Sequence, residues 1–290
     1  MPDLPGKDVR GDDGELPGSG RKNLGAAASV GILAGFLSGL FGVGGGVLIV
    51  PGLVLLMRMD QRRAHGTSLA AIVPIASAGV AGFALHDSVD WVAAALLVGG
   101  AAAGVVVGTH ALHRLRQNTL RLLFAGLLVV TAVRLFAQTP ETTGRGALAL
   151  GLALGLLGVG LFAGSLAGLL GVGGGIIMVP ALVLLFSVPD AIAKGTSLAV
   201  IIPTAVVGTW RNLRRHGTDL PVATIVGLLG VASAFAASQL AVNLDRRVSS
   251  ALFASLLVLV AARLLLTRPV EEKVGAPGPD ADSPAPGSEA

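Results

Sequence analysis

The chain has 290 residues, of which 53% are hydrophobic and only 13% charged, with 42 glycines, no cysteine and a mean hydropathy of +0.79. That balance excludes an ordinary soluble domain and indicates an all-α, polytopic helical membrane protein. The missing cysteines exclude a disulfide framework and thiolate chemistry. The net charge of +4 sits in short loops and at helix ends, so it implies membrane topology signals and no nucleic-acid partner.

Residues 1–22 and 269–290 each carry five of the 17 acidic residues and are rich in Pro and Gly, so both are expected to be disordered tails. The first apolar run starts only near Leu24, so residues 1–22 do not read as a signal peptide. Only seven acidic residues lie between the tails (Asp60, Asp87, Asp90, Glu141, Asp190, Asp219 and Asp245), and all read as loop residues. Apolar runs follow at 24–41, 47–57, 66–85, 91–110 and 119–137, then at 147–170, 176–187, 195–210, 220–241 and 249–267. As a helix, 24–41 is about 27 Å long, close to a bilayer core of roughly 30 Å, whereas 47–57 covers only about half of it.

The runs form two membrane repeats, expected over 23–140 and 141–268. Gly39–Pro51 and Gly168–Pro180 share nine of thirteen residues at an offset of 129. In each, an apolar run meets a G-V-G-G-G break and resumes as a short run. The same offset aligns His65-Gly66-Thr67-Ser68-Leu69-Ala70 with Lys194-Gly195-Thr196-Ser197-Leu198-Ala199, Pro74 with Pro203, Gly79 with Gly208, and Asp90 with Asp219. A register held without gaps over this length marks an internal duplication.

Loop charge reverses between the halves. Arg58, Arg62, Arg63 and His65 crowd one loop, while its counterpart holds Asp190 and Lys194. Asp87 and Asp90 oppose a counterpart with Arg211, Arg214, Arg215 and His216. The positive-inside rule then predicts inverted repeats, with both termini cytoplasmic in an inner or plasma membrane. Inversion needs an odd number of crossings per half, met by five passes or by three passes plus a re-entrant pair. The loop Asp245-Arg246-Arg247 falls on the outside, against the rule.

A lone small-residue pair would be read as helix packing. Consecutive glycines, however, disfavour continuous helix by about 1 kcal/mol each, and freed backbone groups are tolerated at membrane depth only in protein or beside water. The breaks should therefore leave helix N-termini at Gly46 or Val47 and at Gly175 or Ile176, buried and suited to an anion. Candidate anion-binding residues are Gly42, Gly44, Gly45, Gly46, Gly171, Gly173, Gly174 and Gly175. His65, Thr67, Ser68, Lys194, Thr196 and Ser197 join them, as donors or as charge. The alternatives are that Thr and Ser only cap their own helices, and that Lys194 snorkels to the interface. Pro74 and Pro203 are expected to kink their helices as shape or hinge. Trp91 and Trp210 look like interfacial belt residues. No catalytic, metal-binding or cofactor-binding pattern is found, and no carboxylate is placed for a proton relay.

The two copies of S/A-G-L-F/L-G-V-G-G-G-x-x-x-V-P, each followed by G-T-S-L-A and a later Pro, resemble the sulfite exporter TauE/SafE family. The resemblance covers about residues 28–268. It implies a permease for sulfite, sulfonates or related organic anions, with its functional region at Gly42–Gly46, Thr67–Ser68, Gly171–Gly175 and Thr196–Ser197. Family members are usually described with about eight helices in two similar halves; five runs per half departs from that. The expected function is thus a secondary transporter of a small anion and not an enzyme. One half would rock against the other, driven by membrane potential or by proton coupling through His65 or Lys194. An anion channel and a membrane scaffold are the alternatives. The expected partners are the anion and the lipid bilayer, with homo-oligomerisation left open.

Overall fold

A computed structural model describes residues 19–111, 117–137, 150–170, 174–214 and 218–266. These form α1 Ser19–Phe41, α2 Gly46–Leu56, α3 Gln61–Ala84, α4 Trp91–Ala111, α5 Gln117–Ala137, α6 Leu150–Leu170, α7 Gly175–Phe186, α8 Asp190–Leu213, α9 Leu220–Asn243 and α10 Arg246–Leu266. Each expected apolar run forms one helix. α1 begins at Ser19, inside the expected tail; the rest of both tails and the boundary between the repeats lie outside the described residues.

The largest shifts are at α3 and α8, which start a full turn before their apolar runs. Asp60 caps α3 by accepting from Arg62 N at 3.2 Å, and Asp190 opens α8. An apolar count cannot see such a polar first turn.

Small residues fix how the helices run. Gly31, Gly35 and Gly39 of α1 press on the carbonyls of Val226, Gly230 and Ala234 of α9, so these two helices are parallel. Gly100 and Gly104 of α4 press on Leu157 and Leu161 of α6, and Gly160 and Gly164 return the contact on Leu97 and Ala101. Close backbone approach of this kind holds helices together where lipid removes the hydrophobic drive.

α3 and α8 run the other way relative to each other. Gly79 faces Leu198, and Gly208 faces Leu69. Both contacts map onto each other under the 129-residue offset, so a pseudo-two-fold axis passes between α3 and α8, perpendicular to them. Equivalent helices therefore point in opposite directions, which is the inverted arrangement.

α2 returns along α1, with Gly45 against Ala34 and Gly52 against Val30. In the same way Gly155 of α6 meets the ring of Phe186 at the end of α7. Each half is therefore an antiparallel helix pair followed by three more helices, an order that fits either odd counting.

Among the described residues, four helices are long and apolar enough to cross a membrane: Leu24–Phe41 within α1, and α3, α8 and α9. Ile72, Ile75, Leu198 and Ile201 are buried at the centre, while Leu33, Leu154, Leu228 and Leu259 are exposed on the outside. An apolar exterior around a small-residue interior is the surface a bilayer accepts.

Candidate functional site

The short helices after the two glycine breaks are capped alike. Gly45 caps α2 at φ 73°, ψ −11°, and Gly174 caps α7 at φ 72°, ψ −11°. A side chain in this left-handed conformation costs about 1–2 kcal/mol. Neither α2 nor α7 has a side-chain cap. α2 starts at Gly46 and α7 at Gly175, as the sequence predicts.

Gly42 through Gly46 are all buried. Gly42 lies against the backbone of Lys194, and Gly44 lies against Ile72 and Ile201. Gly175 meets Val43 and Ile201. The break of the first repeat thus packs on α8 of the second, and the two breaks meet near the pseudo-two-fold axis. Gly171 and Gly173 lie outside the described residues.

Three buried serines on the helices that meet here have no hydrogen-bond partner among the described residues: Ser38, Ser68 and Ser197. Helical spacing gives their direction. Ser197 shares a face of α8 with Lys194 and Ile201, both of which touch the glycine break. Ser68 shares a face of α3 with Ile72, and Ser38 follows Ala34 by one turn on α1. His65, on the face of Ser68, also has a buried unpartnered Nδ1. Buried hydroxyls are almost always satisfied by protein, water or ligand, and these three have no such partner among the described residues. The sequence singled out Ser68, Ser197 and His65; it gave no sign of Ser38.

The threonines each make a contact between the repeats. Thr67 Oγ1 accepts from the backbone N–H of Asp219, and Thr196 Oγ1 accepts from that of Asp90, both at 2.9 Å. Asp219 and Asp90 in turn cap the starts of α9 and α4, accepting from Val222 N at 3.3 Å and Ala93 N at 3.0 Å. Each threonine therefore latches its own repeat onto the other. Because α3 and α8 start at Gln61 and Asp190, neither threonine caps its own helix, which corrects that reading.

Lys194 does not snorkel, and that reading is also corrected. Its side chain is 1% exposed and its Nζ lies 2.6 Å from Asp190 Oδ2. It also donates to Ser249 Oγ of α10 at 2.7 Å. Asp190 is the first residue of α8 rather than a loop residue. The i, i+4 spacing of Asp190 and Lys194 was the available signal for this pair. Ser249 had none, because it is supplied by another helix.

Pro74 and Pro203 lie inside α3 and α8 as expected. Pro74 packs on Gly227, and Thr204 beside Pro203 donates to the carbonyls of Val200 and Ile201 at 3.1 and 2.9 Å. Trp91 and Trp210 are 59% and 53% exposed near helix ends, fitting a belt position, and the Arg214 guanidinium lies 3.9 Å over the Trp210 ring.

A duplicated, inverted helical bundle whose glycine-broken helices meet between the repeats fits a class, the membrane transporters built from paired repeats. The sequence profile described as "Sulfite exporter TauE/SafE" matches residues 7–135 and 156–288, one match per repeat, and the chain belongs to this family. It is similar to the "Probable membrane transporter protein YunE" of Bacillus subtilis (strain 168), 26% identical over 62% of this chain and 74% of that protein. It also resembles a "Probable membrane transporter protein" of Xylella fastidiosa (strain Temecula1 / ATCC 700964), 36% identical over 37% of this chain and 41% of that one. Another of that name, from Haemophilus influenzae (strain ATCC 51907 / DSM 11121 / KW20 / Rd), is 34% identical over 38% of this chain and 44% of its own length. The matched stretch thus spans less than half of the latter two relatives. No solved structure matches the chain. The protein is a membrane transporter.

Proposed function

We propose that the protein is a secondary transporter of a small anion, and that oxidised sulfur compounds such as sulfite or a sulfonate are its substrate class. One observation carries this reading. Two uncapped helix N-termini pack on α1, α3 and α8, and on these same helices the buried hydroxyls of Ser38, Ser68 and Ser197 have no hydrogen-bond partner among the described residues. Helix N-termini favour negative charge through the dipole and the free N–H groups, and hydroxyls can donate to an oxyanion. The family's name supports the sulfur oxyanion. The anion rests between the repeats, and rocking of one repeat against the other, with Pro74 and Pro203 as hinges, exposes it to either side.

Charge supports the orientation. The Thr67–Asp219 latch sets the starts of α3 and α9 at one end, where Arg58, Arg62, Arg63, Arg211 and Arg214 gather. The other end holds Asp87, Asp90, Asp190 and Asp245 against Lys194, Arg246 and Arg247. The positive-inside rule puts the arginine end, and with it both termini, in the cytoplasm of a cell with this protein in its inner or plasma membrane.

Purified protein in liposomes tests the function with radiolabelled sulfite. Saturable uptake and counterflow are expected, and the pair Gly45→Leu with Gly174→Leu should abolish both. Unchanged flux in that variant would end the site assignment, and non-saturating flux would indicate an anion channel.

A further inference from the structure

The pseudo-symmetry is broken at a buried ion pair. Asp190, Lys194 and Ser249 form a closed triangle: Lys194 Nζ lies 2.6 Å from Asp190 Oδ2, Lys194 donates to Ser249 Oγ at 2.7 Å, and Ser249 Oγ donates to Asp190 Oδ2 at 2.7 Å. The positions equivalent under the 129-residue offset are Gln61, His65 and Leu120, so the first repeat has neither the carboxylate, the ammonium nor the hydroxyl. Among the described residues Lys194 is the one buried cation. The other oxygen of Asp190, Oδ1, is buried without a hydrogen-bond partner.

The triangle adjoins the first glycine break. The Lys194 backbone lies against Gly42. Its ammonium is 5.8 Å from the centre of the Phe253 ring, which stacks at 5.8 Å on Phe41, the residue before Gly42. The lysine's four-carbon stem can thus swing its charge from α10 toward the break while its backbone stays in place.

We propose that Asp190 is the proton-carrying carboxylate of the transport cycle, and that Lys194 exchanges Asp190 for the anion so that one proton travels with each monovalent anion. The assignment rests on the anion-transport reading above. In the empty protein Lys194 and Asp190 neutralise each other. An anion entering the buried site adds one negative charge, and the cation at hand to pair it is Lys194. Once the ammonium turns to the anion, Asp190 is a buried carboxylate without a counter-ion, and one proton taken up there restores neutrality. A proton from water binds Oδ1, the oxygen with no existing partner to lose. The Asp190 side chain is 13% exposed at the start of α8, so water lies beside it and reaches the buried Oδ1 when the ammonium turns away. The loaded site then holds an ammonium, an anion and a neutral acid, and again sums to zero. Empty and loaded forms reorient with the same net charge, and release on the far side reverses each step.

The other ionisable groups of the segments packed here are His86, Asp87 and Asp90 between α3 and α4, and Asp245, Arg246 and Arg247 at the start of α10. His86 Nδ1 is engaged with Gly82 O at 3.2 Å, Asp90 Oδ1 caps Ala93, and Arg247 N is held by Asp245 Oδ1 at 2.8 Å. Among the described residues the ion-pair partner of Asp190 is Lys194.

The test uses methanesulfonate, which stays ionised throughout the working pH range, so any proton movement belongs to the protein. Full-length protein goes into liposomes containing a fluorescent pH dye. Inward methanesulfonate flux by the wild type should acidify the lumen, and a potassium–valinomycin potential of either sign should leave the flux unchanged. Asp190→Asn should retain methanesulfonate counterflow at equal pH on both sides and lose the acidification. Acidification that persists in Asp190→Asn overturns the assignment. So does wild-type flux that follows the imposed potential without acidification, a measurement that decides the matter even if the variant does not fold. Wild-type protein with no counterflow of either methanesulfonate or sulfite overturns the transport reading itself, and this assignment with it.

Discussion

Replacing Thr67 by Val keeps the shape of the side chain and removes the oxygen that accepts from Asp219 N–H at 2.9 Å. Thr67 is fully buried, so the orphaned donor finds no water in its place. A buried donor left without an acceptor costs roughly 1–3 kcal/mol, and measured inter-helix hydrogen bonds in bilayers lie nearer the lower end, so about 1–2 kcal/mol is expected. For a protein of this size that is a fall in melting temperature of about 2–8 °C. Thr196→Val should cost a similar amount, because Thr196 holds Asp90 N–H in the equivalent geometry. The two latches sit at opposite ends of the crossed pair α3 and α8 and share no partner, so the double variant should show the sum. Thr67→Ser keeps the acceptor and should melt close to wild type. The measurement is thermal unfolding in detergent, followed by fluorescence, with anion flux recorded on the same preparations. If Thr67→Val abolished flux while its melting temperature stayed at the wild-type value, the threonine would be a ligand for the substrate and the latch reasoning would be refuted.

Other outcomes follow from the same coordinates. Gly39→Ala places a methyl group on the carbonyl of Ala234; overpacking of this kind should cost about 1–3 kcal/mol, and a melting curve superimposable on wild type would rule out the α1–α9 backbone contact. Lys194→Met strands the buried Asp190 carboxylate and should lower stability by about 3 kcal/mol; adding Asp190→Asn should recover much of that, since replacing both members of a buried ion pair is far better tolerated than removing one. A double variant less stable than Lys194→Met alone would count against the pair as described. The natural chain has no cysteine, so single replacements report topology directly: Arg62→Cys should react with a membrane-impermeant maleimide only from the cytoplasmic side and Asp87→Cys only from the outside. Labelling of both from one side would contradict a membrane crossing by α3.

Much of the architecture was legible because a bilayer simplifies the reading. A run such as 24–41 has to be helical to satisfy its own backbone in hydrocarbon, so hydropathy alone placed the helices. The duplicated glycine breaks were equally plain, since three consecutive glycines inside an apolar segment are costly unless a break is wanted. The reversal of arginine between the 58–65 and 187–194 loops indicated inversion, and antiparallel packing of α3 and α8 agrees with it. Two misreadings came from local reasoning. Thr67 and Thr196 look like caps because they precede apolar runs, but their helices begin earlier in polar turns. Lys194 looks like an interfacial lysine because its neutraliser Asp190 also sits among polar residues.

The sequence by itself determined what is written in single segments: ten helices, two copies, broken segments at Gly42–Gly46 and Gly171–Gly175, and the sign of each loop. Only the tertiary structure decided what depends on residues far apart in the chain. Gly42 meets Lys194, Thr67 meets Asp219, and Lys194 meets Ser249 because the repeats interlock about an axis that no local pattern encodes. Backbone hydrogen bonding in lipid is satisfied within a helix and can be read from it. The pairing of buried hydroxyls, amides and charges is satisfied between helices, and becomes visible only when they are packed.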